Sequence, residues 1–479
     1  YWSLLLGNVV EWYEFAIYGY LEPALEEKFF RGSAIAAWLG FGVTFFARPL
    51  GGAVFGVVGD RLGRSVAVNI TIIGMLIGTC GQGCLPTFDN GETAGIIGVV
   101  CLIFLRLLQG MSAAGEISTI STYIAEVGRR ESLGMSMSMI SMTCNVGFLL
   151  AKAVVFAMEA IFGKPAVHDW GWRVPFILAL VPGLISVWGR RFMPESEAYL
   201  EEQTIAREKS AARIEGGVDA ADVQAAAARE KSVRNVVTNH SSNILIGVGG
   251  VASFAVLQYG GFVWTSSFLA KRGMPPSGSM LASLTARVLM ILLALPVGWL
   301  TDRKGIAWVV FTAAAALAVC GLPFFMVLDA YPTNVPIVVA VVGVGYAILG
   351  ALGGSTFFFY VVELFPTSVR GAAVGISYNI GFSLFGGLAP MIAEASLQAY
   401  ALGPGLVLSL GGLVTAGTVL TALICESRGH VKLAHVRERP YFSSRRVCGS
   451  IGDHRTSKGE QLPEASYDSS EEVTTDVSD

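Results

Sequence analysis

The sequence predicts an all-α integral membrane protein, with twelve transmembrane helices in two pseudo-symmetric six-helix halves. Three observations predict it. Of 479 residues, 53% are hydrophobic and only 14% charged, where soluble domains carry about 25% charged residues. Twelve runs are apolar and long enough to cross a bilayer, whose hydrocarbon core takes about 20 helical residues. The two halves also repeat each other in short motifs, as in transporters built around a central site.

In chain order the spans fall at roughly 2–26, 35–58, 66–86, 95–123, 133–160 and 172–193, then 243–270, 280–300, 307–328, 335–361, 371–396 and 404–425. Residues 1–193 form the N-terminal half and 241–426 the C-terminal half. Between them, 194–240 is polar and Ala-rich (EEQTIAREKSAARIEGG, AAAAREKSVRN) and reads as short amphipathic helices on the membrane surface. Residues 427–479 form a tail, first basic (RGHVKLAHVRERPYFSSRR), then Ser-rich and acidic, the acidic part expected to be disordered. The chain opens at Tyr1 on the edge of an apolar run, without a cleavable signal pattern, and a longer native N-terminus is expected.

Orientation follows the distribution of Lys and Arg. On the side that holds both ends, short loops carry Arg61, Arg64, Arg129, Arg130, Arg303, Lys304 and Arg370. The opposite loops carry Lys28, Arg31, Lys164, Arg173, Lys271 and Arg272, so the loops alone do not decide. The middle segment and tail, with Arg190, Arg191, Arg437, Arg439, Arg445 and Arg446, tip the balance. Both termini are expected in the cytoplasm of a cell bounded by this membrane.

The repeat is specific. GVVGDRLGR (56–64) returns as GWLTDRKGI (298–306), which matches Asp60 with Asp302. YIAE (123–126) returns as YVVE (360–363), Gly134 matches Gly371, and NVGF (145–148) returns as NIGF (379–382).

The most telling stretch is GNVVEWYEFAIYGY (7–20), which sets Glu11 and Glu14 inside an apolar helix. A carboxylate in hydrocarbon costs roughly 2.5–3.5 kcal/mol on insertion scales, and is retained at a cavity, a partner or a substrate path. Three residues apart, the two carboxylates share one helix face. Held so close in an apolar setting they resist ionising together, as a proton carrier requires. A structural pair neutralised by arginine is the competing reading.

These residues resemble the major facilitator superfamily, and within it the metabolite:proton symporter branch. GDRLGR is like the superfamily signature between the second and third helices, and RLLQG (106–110) is like its fourth-helix motif. The narrower resemblance rests on GNVVEWYEF (7–15), FFARPLGG (45–52), GMSAAGEISTISTYIAE (110–126), ELFPTSVRG (363–371) and YNIGFSLFGGLAP (378–390), and the likeness spans about 2–425. It implies proton symport of a solute such as proline, betaine, shikimate, citrate or 2-oxoglutarate. The chain departs from the branch at Glu14, where Asp is usual, at Ala114-Gly115-Glu116, where Gly-Gly-Glu is common, and at Lys152, where a small or apolar residue is expected. PES (194–196) and PTSVR (366–370) also resemble sugar porters, which leaves a sugar or other solute porter as an alternative.

A proton-coupling cluster of Glu11, Glu14, Arg48 and Glu116 is expected, since an always-charged arginine holds a carboxylate ionised until a proton or solute competes. Two roles are open to Arg106: the proton transfer that the resemblance implies, or hydrogen bonding to helix carbonyls. Arg287, alone in the eighth helix, suits an anion clamp. Lys152 either binds solute or snorkels and pairs with Glu159. Tyr18, Gln258, Tyr259 and Asn379 complete the candidate solute site, Asn379 with helix packing as its alternative. Arg48, Arg106, Lys152 and Arg287 outnumber Glu11, Glu14 and Glu116 by one, which favours an anion over a zwitterion. Asp60, Arg61, Arg64 and Glu126 read as a gate. Asp60 would cap the eleventh helix near Gly371, and Asp302, Arg303, Glu363 and Arg370 would mirror the arrangement.

The seven scattered cysteines read as packing residues, and Cys80 and Cys84 alone make a poor metal site. No Ser/His/Asp set, metal cluster or GxxxxGK[ST] loop is present, so no enzyme, metal or cofactor is expected. The expected partners are a small organic solute, protons and the bilayer, not nucleic acid, with a monomer as the working unit. A transporter-like sensor is the competing class. A channel would need a filter repeated around a pore, which the duplicated pattern lacks.

Overall fold

In hydrocarbon no water is at hand for backbone N–H and C=O groups, so spanning segments close their own hydrogen bonds as helices. The structure, a computed structural model, describes residues 2–62, 64–190, 233–366 and 369–427, with the isolated positions 204, 208 and 211. The middle segment before Val233 and the tail, including the separate unit Ser443–Asp479, lie outside the described residues apart from those positions.

The helices are α1 (Trp2–Tyr20), α2 (Glu22–Phe30), α3 (Ala34–Leu62), α4 (Arg64–Gln82), α5 (Glu92–Val127) and α6 (Leu133–Phe162). Next come α7 (Lys164–Gly171) and α8 (Arg173–Gly189), a short helix over Val233–Asn239, then α9 (Ser241–Lys271). They are followed by α10 (Pro276–Lys304), α11 (Ile306–Ala330), α12 (Val335–Glu363), α13 (Arg370–Ala399) and α14 (Gly403–Ser427). Among the described residues nine helices are long and apolar enough to cross a membrane, and α7 with α8, bent by 63°, makes a tenth span. The other two are α1, diluted by Asn8, Glu11 and Glu14, and α4, each of 19 residues. The first span, expected as one helix to residue 26, is broken at Leu21, because Pro23 opens the new helix α2.

Within the first half α1 packs on α6, and α5 packs on α3 and α4; in the second, α11 packs on α14 and α10 on α12. The halves meet along two seams, α6 against α10 and α3 against α13. Large apolar side chains such as Val100, Phe104, Leu292, Val319 and Leu413 point outward, where lipid would lie. By contrast, 89% of the apolar window of α9 is buried, against 39% for α10. Helices α9, α12 and α13 each contain π-helical turns, at Leu257–Trp264, Val339–Tyr346 and Phe382–Gly387. Such turns often mark functional positions.

Helices α3 and α5 touch backbone to backbone. A Cβ on Gly110 would sit 1.9 Å from the Thr44 carbonyl oxygen, and one on Gly51 would sit 2.1 Å from that of Met111. Close approach through glycine is a standard helix contact in lipid. Gly110→Val is therefore expected to lower the melting temperature sharply, since forced overpacking costs about 1–3 kcal/mol or more. Gly417, with nothing within 4 Å of its virtual Cβ, is the control, and Gly417→Ala is expected to hold or raise stability. Equal melting of the two variants would show that the α3–α5 contact is not tight.

Candidate functional site

The first-span carboxylates do not share one partner. Glu11 accepts a hydrogen bond from Arg48 at 3.1 Å, with both side chains fully buried. Arg48 also donates to the Tyr378 hydroxyl of α13 at 3.3 Å, and its guanidinium lies 4.5 Å from the Phe15 ring centroid and 4.9 Å from that of Phe45. A planar, weakly hydrated cation tolerates such stacking where lysine would not.

Glu14, one turn on, accepts from the Gln109 amide at 3.2 Å, and the same amide nitrogen donates to Thr79 at 2.9 Å. The Gln109 carbonyl oxygen accepts from Arg106 at 3.1 Å, so one neutral amide separates that arginine from Glu14. The remaining Arg106 donors go to the carbonyls of Gly40 and Phe41, and its guanidinium covers the Tyr18 ring at 4.0 Å. Of the two roles open to Arg106, bonding to carbonyls is the one seen directly. Glu116 is fully buried on α5 within electrostatic reach of Glu14. The expected cluster is thus two linked centres, Glu11–Arg48 and Glu14–Gln109–Arg106. The other Glu14 oxygen, Oε1, finds no hydrogen-bond donor among the described residues.

In the second half Arg287 is 2% exposed. It donates to Asn145 of α6 at 2.9 Å and to Gln258 of α9 at 3.1 Å. The rings of Phe148 and Phe262 lie on it at 4.3 and 4.5 Å, and the Tyr20 hydroxyl faces it. Among the described residues no carboxylate comes within ion-pair distance of Arg287. Tyr259, inside the π-helical turns of α9, stands edge-on to Phe41, Phe45 and Phe382. Its hydroxyl has no hydrogen-bond partner among the described residues and lies within electrostatic reach of both Arg48 and Arg287.

Two other expected solute ligands, Tyr18 and Asn379, direct hydrogen bonds to backbone carbonyls, although Asn379 Oδ1 keeps no partner among the described residues. The Tyr18 hydroxyl donates to the Ala37 carbonyl at 3.1 Å. The Asn379 amide donates to the Gly375 carbonyl at 2.7 Å and the Ala114 carbonyl at 3.3 Å, which is the packing alternative. Lys152 is half-buried, its ammonium 4.6 Å from the Tyr20 ring centroid, and no ion pair with Glu159 forms. Sequence reasoning missed Gln109, Thr79 and Asn145, although RLLQG and NVGF contain the two amides. It also missed Glu22, fully buried at the start of α2, which accepts from Ser267 at 3.2 Å. The same helix also buries Lys28, so the count of embedded charges does not come to balance.

On the face where α1 begins and α14 ends, Asp302 at the foot of α10 accepts from the backbone N–H groups of Gly134 and Met135 at 2.7 and 3.0 Å. It thereby caps α6 across the seam between the halves. A Cβ at Gly134 would lie 2.7 Å from that carboxylate, so glycine permits the approach. Arg303 does not join this contact; it is exposed and lies over Trp299, one turn back on its own helix, at 4.0 Å. Arg370 is buried and donates to the Phe365 carbonyl at 3.3 Å, and Glu363 is buried nearby in sequence on α12. The side chains of Asp60, Arg61, Arg64 and Glu126 lie outside the described residues.

Comparison with known proteins gives a consistent picture. The profile of the family described as "Sugar (and other) transporter" matches residues 3–430. The chain is 32% identical over 405 residues to the ectoine/proline transporter of Corynebacterium glutamicum, covering 82% of this chain and 77% of that one. It is 30% identical over 431 residues to the proline/betaine transporter of Escherichia coli, covering 86% and 81%. The proton:xylose symporter XylE of Escherichia coli superposes with a TM-score of 0.67 over 91% of this chain and 97% of its own, at 17% identity, a likeness of fold.

The Asp302 cap is open to test. In an Asp302→Ala variant, which loses about 1 kcal/mol of capping, a cysteine replacing the buried Ser138 of α6 is expected to react several-fold faster with a maleimide. The comparison is made in an otherwise cysteine-free background. Unchanged reactivity would show that the cap does not hold this face closed.

Proposed function

The chain belongs to the sugar (and other) transporter family of the major facilitator superfamily, and from that premise we propose that it is a proton-coupled symporter of a small zwitterion bearing a carboxylate. The family is one of membrane transporters, not enzymes. The observation that carries the reading is the unequal treatment of two buried arginines. Arg48 is neutralised by Glu11, while Arg287 has amide oxygens and ring faces. A buried guanidinium without an anion is unfavourable, and an arriving carboxylate relieves it with bidentate geometry.

Proline, betaine and ectoine, named for the relatives, each join a carboxylate to a cationic nitrogen. The aromatic faces around Tyr259 and Phe382 suit that nitrogen. In this reading Glu11 stays ionised as the counterion of Arg48. Glu14, held by a neutral amide, takes the proton, with Arg106 acting on it through Gln109 and Glu116 as a second acid within reach. The Tyr259 hydroxyl, within electrostatic reach of both Arg48 and Arg287, completes the solute site with Gln258.

The halves then rock about this midplane site. Asp302 latches one seam, and Asp60 with Arg61, Arg64 and Glu126 latches the other, near Gly371 and Arg370. Asp60→Ala is expected to speed Ser138 cysteine labelling as Asp302→Ala does. Both termini face the cytoplasm of the cell membrane, and a monomer suffices.

The test is accumulation of proline, glycine betaine and ectoine by proteoliposomes under an imposed pH gradient. Glu14→Gln is expected to abolish accumulation while retaining solute exchange; normal accumulation by the Glu14→Gln protein would sink the coupling role. Arg287→Ala is expected to weaken proline binding at least tenfold, the order of one charge-assisted bond, and Arg287→Lys by less. Binding by Arg287→Ala as tight as the parent's would make this arginine structural.

A further inference from the structure

On the face opposite the Asp302 cap, the halves enclose a cavity of about 340 Å³. Tyr20, Lys152, Glu159 and His168 line it from the first half, and Ser267 and Ser279 from the second. Its size is at the lower end of small-ligand sites. Lys152 enters from α6 and rests over the Tyr20 ring at 4.6 Å. No carboxylate of the described residues lies within ion-pair distance of it. Glu159, seven residues along the same helix, places a negative charge in the same cavity. The Tyr20 ring under Lys152 carries the hydroxyl that faces Arg287. One side chain therefore separates a cation exposed to the cavity from a cation buried behind it.

We propose that this cavity is an outer solute subsite. Lys152 binds the carboxylate and Glu159 faces the cationic nitrogen, before Tyr20 turns aside and the carboxylate passes to Arg287. The proposal rests on the reading that Arg287 takes the carboxylate, but it concerns a separate place. A lysine suits the outer role, because a hydrated point charge on a flexible stem holds a carboxylate less tightly than a guanidinium fork. A staging site must let its occupant go.

The experiment measures the apparent KM for proline and for glycine betaine at each face, in right-side-out and inside-out vesicles. Lys152→Met is expected to raise the KM at the outer face roughly tenfold, as the loss of one hydrogen bond to a charged group would. It leaves the KM at the inner face unchanged, and Lys152→Arg keeps the parent values. Ser279→Trp, which fills the cavity from the opposite wall, gives the same one-sided rise and carries the test should Lys152→Met fail to fold. An unchanged outer KM in both variants overturns the proposal, as does an equal rise at both faces. Parent-like binding by Arg287→Ala strikes the inner site instead, and a one-sided Lys152 effect would survive that result.

Discussion

The arrangement of the polar interior depends on one buried ion pair, Glu11 with Arg48. Neither charge is tolerable alone at this depth: breaking such a pair by removing one partner costs about 3–5 kcal/mol. The pair therefore fixes the height of α1 against α3. Once Glu11 is set opposite Arg48, the helix period carries Glu14 round to Gln109 and Thr79, and Tyr18 a turn further to the face of Arg106. Tyr378 extends the same constraint to α13. The register of one helix thus positions groups contributed by four others.

The second half meets this centre with less regular backbone. Gln258 and Tyr259 lie in the π-helical turns of α9, and Phe382 opens those of α13. A wider turn redirects side chains that an ideal helix would send elsewhere, and such turns recur at functional positions. The Ser383 hydroxyl, in the same turns of α13, donates to the Phe45 carbonyl of α3, so the irregular stretch also forms part of a seam between halves.

The sequence made the spans, the duplication and the embedded charges legible, because each leaves a local signature. The pairing of Arg48 with a first-span acid followed from charge alone. Expecting Asp60 to cap a helix near Gly371 found its counterpart in Asp302 at Gly134, the matched positions of the repeat. Gln109 and Asn145 were not legible, since an amide in an apolar run looks like packing until its partner helix is known. The hydrogen bonds of Tyr18 and Asn379 were not legible either, since two of the carbonyls they reach, at Ala37 and Ala114, lie on other helices. Arg303 sits where the motif repeats, yet the last turn of α10 directs it outward onto Trp299. Pro23 signalled the break in the first span, but a long apolar run outweighed it.

Helix α9 meets almost no lipid, while α10, α11 and α14 present broad apolar faces outward. Changes in acyl-chain length or bilayer thickness press on exposed helices, which tilt or bend to match. Gln258 and Tyr259 feel such strain only at second hand, through the packing of α13 and α14 around their helix. The chemistry of the centre is thereby insulated from the composition of the membrane, and what the membrane can tune is how readily the outer helices let the halves move.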